Sequence, residues 1–152
     1  MPAKKLKEFL DANGAKYVVI RHSPAYTAQE IAASAHVSGR ELAKTVMVKL
    51  DGELAMAVLP ATASVDFGLL EEVSGAQTAE LAREGDFRDR FAECELGAMP
   101  PFGNLYGLDV YADRRLAEDE TIAFNAGTHK ELVKLAYEDF ARLVKPKVGR
   151  FS

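Results

Sequence analysis

The sequence predicts a single α+β domain. Its 152 residues suffice for one domain with a sizeable core, since a chain of this size buries roughly 70% of the surface that its unfolded form exposes. Segments with helical spacing of apolar residues are interspersed with short β-branched runs. No internal repeat, linker or low-complexity segment divides the chain. The composition, 48% hydrophobic and 28% charged, is ordinary for a soluble globular protein.

Capping residues and glycine stops mark the predicted helices. Leu6, Phe9 and Leu10 recur at helical spacing, and Gly14 is well placed to end that helix. Thr27-Ala28-Gln29-Glu30 is a capping box that opens a helix through Ala35, and Ser38-Gly39-Arg40-Glu41 repeats the signature to start a short turn. Further helices are predicted over Asp66 to Val73 with a stop near Gly75, Thr78 to Glu84, Asp86 to Phe91, and Glu138 to Val144.

A hairpin is the strongest β signal. Lys44 to Leu50 and Leu54 to Leu59 are apolar and β-branched runs, and Asp51-Gly52 between them is typical of a tight turn. The other predicted strands are Tyr17 to Arg21, Leu108 to Ala112, Thr121 to Phe124, and the segment from His129 to Tyr137, whose pattern fits a strand slightly better than a helix.

Charge, cysteine content and hydropathy limit the class of protein. The net charge of −4 argues against coating nucleic acid by bulk electrostatics, although it allows a local basic contact. Cys94 is the single cysteine and lies between Glu93 and Glu95, so neither a disulfide framework nor a reactive thiolate is expected. No signal-peptide pattern and no apolar run near the ~20 residues of a membrane span are present. We expect a cytoplasmic protein with no membrane partner.

Three polar positions follow or open predicted strands. Lys44 opens an apolar strand, where it could hold a phosphate or simply extend to solvent. The uncharged segment Gly97 to Gly107 contains the spacing Gly-x-x-x-Pro over Gly97 to Pro101, whose amides could stabilise an oxyanion or merely form a turn. His129 ends Asn125-Ala126-Gly127-Thr128-His129 and could orient a substrate or play a structural part.

Common catalytic motifs are absent. The sequence has no Gly-x-Ser-x-Gly elbow, no phosphate-cradling glycine loop that ends in Lys-Ser or Lys-Thr, and no Cys-x-x-Cys pair. His22, His36 and His129 do not have the spacing of zinc ligands. We therefore predict neither a metal site nor a cofactor.

Together, the ordered segments make a more specific pattern than any one of them. Ala43-Lys44-Thr45, the loop Gly97 to Pro101 continuing into Phe102-Gly103, and Phe124 to His129 occur in this order. With them, the chain resembles the YbaK/ProX family of free-standing aminoacyl-tRNA deacylases, related to the editing domain of bacterial prolyl-tRNA synthetases. The similarity runs from Tyr17 to about Leu143 and includes the early loop His22 to Thr27.

The resemblance implies a fold, a reaction and a set of site residues. The fold would be a mixed, barrel-like β-sheet flanked by helices, and the reaction would be hydrolysis of the ester that joins an amino acid to the terminal adenosine of tRNA. The family's catalytic positions fall on Lys44, Gly97 and His129. Its substrate-binding positions are expected at Tyr26, Thr45, Ala98, Met99, Pro101, Gly127 and Thr128.

The partner implied by the resemblance is the aminoacylated 3′ end of tRNA. An aminoacyl-tRNA synthetase is a candidate second partner, because an acidic chain has little basic surface with which to hold tRNA. The oligomeric state and the amino acid removed stay open: alanine, serine, threonine and cysteine are candidates, and proline-like rejection by shape is a further possibility. Two other functions stay open as well: a non-catalytic module that binds a nucleotide or tRNA end, and a hydrolase of a small metabolite.

Overall fold

The computed structural model describes residues 4–21, 41–95 and 97–152. Five α-helices lie in these ranges, together with two short 3₁₀ turns at Arg88–Phe91 and Gly103–Leu105. The helices are α1 (Lys4–Ala12), α2 (Phe67–Ser74), α3 (Glu84–Phe87), α4 (Arg114–Ala117) and α5 (Tyr137–Val144). None of these helices combines the length and the apolar character that crossing a bilayer requires.

Eight strands in the described ranges form two sheets. The strands are β1 (Tyr17–Arg21), β2 (Ala43–Leu50), β3 (Glu53–Pro60), β4 (Ala79–Leu81), β5 (Asp109–Asp113), β6 (Thr121–Asn125), β7 (Glu131–Ala136) and β8 (Lys147–Gly149). The first sheet has the order β1-β7-β6 and is antiparallel throughout. The second has the order β4-β2-β3-β5-β8 and is mixed, because β3-β5 and β5-β8 pair in parallel.

The predicted hairpin β2–β3 is confirmed and forms the centre of the larger sheet. Asp51 and Gly52 both have positive φ, 51° and 84° respectively, as the tight turn between two twisted strands requires. The register then places Met47 opposite Met56, and both side chains are buried. The same alternation sends every second side chain of β2 to the opposite face of the sheet.

The two sheets meet at the beginning of β2. Leu42 forms a parallel bridge with Ala123 of β6, and the Ala123 amide donates to the Glu41 carbonyl oxygen at 3.0 Å. The predicted α+β class with a mixed sheet and flanking helices is confirmed. The strands in residues 4–21, 41–95 and 97–152 form two sheets joined at this bridge, rather than one closed barrel.

Three groups of buried apolar side chains fill the interior. The largest packs around Phe102, whose ring lies 5.6 Å from that of Phe124 and 5.7 Å from that of Phe140 between ring centroids. A second lies on the other face of the larger sheet and includes Leu59 and Phe151. The third is a small cluster of Leu42, Ala123 and Leu132 at the junction of the sheets.

Most predicted elements are confirmed within a residue or two, and the exceptions have physical causes. The predicted helix from Thr78 to Glu84 is wrong, because Ala79–Leu81 pairs with the end of β2 as β4. Asp86 to Phe91 is helical in part: it holds the end of α3 and a 3₁₀ turn. Strand β8 was not predicted. The capping box at Thr27, the helix through Ala35 and the turn beginning at Ser38 lie outside the described residues.

Candidate functional site

Lys44 is the second residue of β2, where it lies opposite Leu59 of β3 and is half-buried. Its neighbours Ala43 and Thr45 alternate with it, and Ala43 packs into the main core. Lys44 therefore projects from the opposite face of the sheet. The same alternation directs Thr45, a predicted substrate-binding residue, to the main-core side, so the structure does not bring Thr45 and Lys44 to one face.

The bridge between the sheets places Lys44 beside Asn125, the first residue of the candidate segment Asn125 to His129. Lys44 lies two residues beyond Leu42, and Asn125 lies two residues beyond Ala123, along strands that run in the same direction. Leu42 and Ala123 belong to the small apolar cluster on this side. Because side chains two residues apart in a strand share a face, Lys44 and Asn125 lie on the same side of the junction.

Gly97 and His129 are in contact. Gly97 has φ +82°, and a Cβ built on it would lie 3.5 Å from Cε1 and 3.8 Å from Nε2 of the imidazole. The His129 ring therefore lies directly against the backbone of the Gly97 loop. A side chain at this position would be strained by the positive φ even though the space admits one.

Two segments distant in sequence are joined at this contact by backbone hydrogen bonds. The Glu95 amide donates to the Gly127 carbonyl oxygen at 2.7 Å, and the Gly127 amide donates to the Ala98 carbonyl oxygen at 2.8 Å. Gly127 and Ala98, both predicted as substrate-binding residues, are buried. These backbone bonds hold the Gly97 loop and the His129 segment together.

Glu95 is a residue of this site that the sequence did not reveal. One carboxylate oxygen, Oε1, accepts a hydrogen bond from the His129 amide at 2.8 Å. The Glu95 carbonyl oxygen also accepts from the Ala98 amide at 3.0 Å. In the sequence, Glu95 is only a charge beside Cys94, and the one available signal is its place two residues before the uncharged loop that begins at Gly97.

These bonds limit which amides can bind a ligand. The Ala98, Gly127 and His129 amides all donate within the protein. Among the described residues, the Gly97 amide has no acceptor within hydrogen-bonding distance. Gly97 is therefore the better candidate donor to an oxyanion in this loop.

The remaining predicted site residues occupy different surroundings. Met99 and Pro101 are buried, and the Met99 side chain packs in the main core. The Thr128 hydroxyl oxygen accepts from the Lys130 amide at 3.2 Å, which makes Thr128 part of the turn before β7. Tyr26 lies outside the described residues.

Cys94 lies close to the loop, but its thiol is poorly suited to attack a substrate. Burial raises the pKa of the Cys94 thiol, and the charge of Glu93 acts in the same direction against a weaker lowering by Tyr106 and Lys5. Its sulfur lies 3.8 Å from the Tyr106 hydroxyl oxygen. The thiolate that a nucleophile requires is therefore disfavoured, as expected from the sequence.

Comparison with known proteins identifies the class of protein. Residues 22–143 match the aminoacyl-tRNA editing domain model, and the chain belongs to that family. The matched region includes Lys44, Gly97 and His129.

Particular relatives cover nearly the whole chain. The multifunctional Ser/Thr-tRNA deacylase ProXp-y of Escherichia coli (strain K12) is 28% identical over 153 residues, which cover 97% of this chain and 91% of that protein. The prolyl-tRNA editing protein ProX of Acetoanaerobium sticklandii is 24% identical over 149 residues, which cover 94% and 90%. A crystal structure described as a candidate trans-editing enzyme for prolyl tRNA synthetase shares the fold, with a TM-score of 0.86 at 18% identity over 99% of this chain and 96% of that one.

Proposed function

We propose that this chain is a hydrolase that removes a wrongly attached amino acid from the 3′ end of tRNA in the cytoplasm. The observation that carries the proposal is the position of Lys44 at the sheet junction together with the packing of Gly97 against His129, in a chain of the editing-domain family. Lys44 and Asn125 share one side of the junction, and the Gly97 backbone lies against the His129 imidazole.

Editing of this kind is needed because a synthetase pocket has limited selectivity between similar amino acids. A binding pocket distinguishes amino acids that differ by one methylene by only ~1–3 kcal/mol, so a second, hydrolytic site is needed for higher accuracy. Two relatives bear names that describe this activity, one on Ser/Thr-tRNA and one on prolyl-tRNA. Their names support deacylation without fixing the amino acid that this chain removes.

The reaction needs no protein nucleophile, because an aminoacyl ester is already activated. In our proposal, Lys44 anchors the terminal phosphate or ribose as a compact positive charge. The Gly97 amide donates to the carbonyl oxygen as it gains negative charge, and His129 orients the substrate against the loop. Water, assisted by the neighbouring ribose hydroxyl, attacks the acyl carbon. The bond from that carbon to the ribose oxygen breaks, and the ribose oxygen takes a proton.

Recognition of the terminal ribose would also select RNA, since the 2′-hydroxyl distinguishes RNA from DNA. An aminoacyl-tRNA synthetase is a candidate helper in holding the tRNA body, in keeping with the net charge of −4. In this proposal, the site described above deacylates the bound 3′ end, and the helper holds the rest of the tRNA.

A panel of mischarged tRNAs tests the proposal. Alanine, serine, threonine and cysteine on tRNAs for other amino acids, with correctly charged prolyl-tRNA beside them, would be incubated with the wild-type chain. We expect release of one or a few of the wrongly attached amino acids and protection of correctly charged tRNA. Binding of uncharged tRNA without release of any amino acid would contradict the proposal and indicate a binding module. Hydrolysis of small esters that is insensitive to added salt, without tRNA deacylation, would indicate a metabolite hydrolase.

A further inference from the structure

A cavity lined by three arginines lies at the edge of the larger sheet. Its volume is about 510 Å³, and its lining includes Arg114, Arg115 and Arg150, with Pro60 and Thr62 beside them. None of these residues belongs to the site described above. The three arginines come from two segments about 35 residues apart in sequence.

The fold brings these segments together through β5 and β8. Asp113, the last residue of β5, pairs with Gly149, the last residue of β8. Arg114 and Arg150 each follow directly along the chain. Two separate stretches of backbone therefore deliver guanidinium groups to one place.

A buried carboxylate fixes both stretches. Asp113 is fully buried, and its two oxygens accept from the Arg115 amide at 2.9 Å and from the Phe151 amide at 3.1 Å. Phe151 is itself fully buried, and its carbonyl oxygen accepts from the Asp66 amide at 2.7 Å. The backbone on both sides of the cavity is thus held rigidly, although the three arginine side chains reach the surface.

The three arginines outnumber the two carboxylates, those of Asp113 and Glu118, that line the same cavity. Among the residues that the structure describes, no carboxylate lies within 4.0 Å of the guanidinium groups of Arg114, Arg115 or Arg150. By contrast, Arg88 pairs with Glu84 and Arg142 pairs with Asp139. Glu118 also lines the cavity, and the Asp113 carboxylate is occupied by backbone amides. In a chain with a net charge of −4, this cavity is a locally positive place.

Such a cavity fits phosphate. Guanidinium groups present paired donors that match phosphate oxygens, and they repel one another unless an anion lies between them. The Thr62 hydroxyl beside them could donate to a further oxygen. Phosphates fit this cavity because its three exposed guanidinium groups can each contact a separate phosphate oxygen, and three arginines against two carboxylates leave the lining with a net charge of +1.

The position of the cavity indicates which phosphates it would bind. Pro60 follows Leu59, which lies opposite Lys44, so the backbones of Pro60 and Lys44 are roughly 5–8 Å apart. The Ala61 amide, next along the chain, donates to the Leu42 carbonyl oxygen at 2.7 Å beside the sheet junction. The cavity thus adjoins the strand end that carries Lys44.

We propose that the cavity of Arg114, Arg115 and Arg150 binds backbone phosphates of the tRNA strand that leads to the amino-acid end. The terminal adenosine lies at Lys44, and the preceding nucleotides pass over the arginines. This inference rests on the proposed function, which places the 3′ end of tRNA at the sheet junction. The inference thus assigns contact with the tRNA backbone to these three arginines, although the chain as a whole is acidic.

The test removes two of the charges and keeps side-chain length. In Arg115→Gln/Arg150→Gln, we expect affinity for uncharged tRNA to fall roughly tenfold at low salt. The slope of log affinity against log salt should become shallower by about 1.5, as expected for two lost contacts to a single strand. The matched control is Arg88→Gln/Arg142→Gln, which removes the same charge from exposed ion pairs elsewhere and should leave both quantities unchanged.

One further variant and one further substrate separate tRNA binding from the chemical step. Arg115→Lys/Arg150→Lys keeps both charges and should retain the wild-type salt slope. Hydrolysis of a 3′-aminoacyl-adenosine, which has no backbone phosphate, should be within about twofold of wild type in the Gln variant, while kcat/KM on mischarged tRNA falls about tenfold. Thermal melting confirms that each variant is folded.

The outcomes distinguish the two proposals. Equal loss of tRNA affinity in the control variant, or an unchanged salt slope in Arg115→Gln/Arg150→Gln, would overturn the inference. Arginine-dependent binding of inorganic phosphate without any effect on tRNA would overturn it in favour of a small-anion site. Arginine-dependent tRNA binding with no deacylation by wild type would support the inference while the proposed reaction fails.

Discussion

At the scale of single residues, the site depends on how the loop of Gly97 and the segment of His129 hold each other. Glu95 is the side chain that joins them, through its 2.8 Å hydrogen bond from the His129 amide. The imidazole lies against Gly97, so any shift of the His129 backbone moves it away from the loop. Small displacements of groups that orient a substrate reduce rates strongly.

We therefore predict that Glu95→Ala lowers the kcat of deacylation about 10- to 100-fold, with little change in KM for tRNA. Glu95→Gln should restore most of the activity, because its amide oxygen can still accept from the His129 amide. Steady-state kinetics on a mischarged tRNA would measure both. If the Gln and Ala variants were equally impaired, the hydrogen bond would not be what Glu95 contributes.

Cys94 supplies a pH-dependent prediction at the same scale. Because burial raises the thiol pKa in the folded chain, the native protein keeps this proton at pH values where the unfolded thiol, with its ordinary pKa of 9.0, begins to lose it. The stability that this group contributes is therefore full below about pH 9 and is lost as pH rises through the folded pKa.

Alkylation by iodoacetamide at pH 8 should consequently be at least about tenfold slower in the native protein than in guanidine, since the thiolate is the reactive form. Raising the pH to 10 should narrow the difference. A native rate at pH 8 equal to the denatured rate would show that the thiol is neither buried nor shifted.

The sequence revealed the candidate site residues unevenly, and the reasons are physical. Lys44, Gly97 and His129 each stand out locally, as a charge on an apolar strand, a glycine in an uncharged loop and a histidine after a strand. Glu95 did not stand out, because its partners Gly127 and His129 lie more than 30 residues away in sequence. A hydrogen bond between distant loops leaves no periodic or turn signal.

At the scale of elements, local signals succeeded where they coincide with tertiary pairing. The predicted helix that begins at Asp66 and stops near Gly75 is confirmed: Asp66 caps α2 through a 3.0 Å bond from the Leu69 amide, and Gly75 ends the helix with φ 78°. The predicted helix at Thr78 to Glu84 failed because distant groups use its amides instead. The Asp51 carboxylate accepts from the Thr78 amide at 2.9 Å, and Glu71 accepts from the Ala79 amide at 2.9 Å.

Strand β8 is the element that the sequence could not show. It has three residues, and its pairing partner β5 lies more than 30 residues earlier. Its fit depends on Gly149, where an added Cβ would lie 2.6 Å from Cγ2 and 2.7 Å from Cγ1 of Val73 in α2. Such an approach explains why glycine is needed there although its φ is not in the positive range.

We predict that Gly149→Ala destabilises the protein by about 1–3 kcal/mol, the usual cost of overpacking a tight contact. Val73→Ala removes both γ carbons that the new methyl group would meet. The double variant should therefore lose less free energy of unfolding than the two single variants lose in sum. Urea unfolding of the four proteins measures the coupling. Additive effects would show that Val73 and Gly149 are not in contact.

At the scale of the whole molecule, the fold brings separate segments together to form the candidate site and, beside the strand end that carries Lys44, the arginine-lined cavity. Lys44 and Asn125 lie at the sheet junction, the Gly97 loop lies against His129, and the cavity beside the Lys44 strand end holds three arginines that form no ion pair within residues 4–21, 41–95 and 97–152. The class of fold and the positions of most strands along the chain follow from the sequence. The junction itself does not, because it depends on one parallel bridge between Leu42 and Ala123.

The most direct test of the central claim is the single-turnover rate at which Lys44→Ala releases an amino acid from the mischarged tRNA that the wild-type chain deacylates. Lys16→Ala is the matched control, since Lys16 is an exposed lysine in the turn between α1 and β1. We predict a loss on the order of a hundredfold or more for Lys44→Ala and none for Lys16→Ala. A near-wild-type rate for Lys44→Ala, with the protein folded and the substrate intact, would contradict the placement of the reaction at the sheet junction.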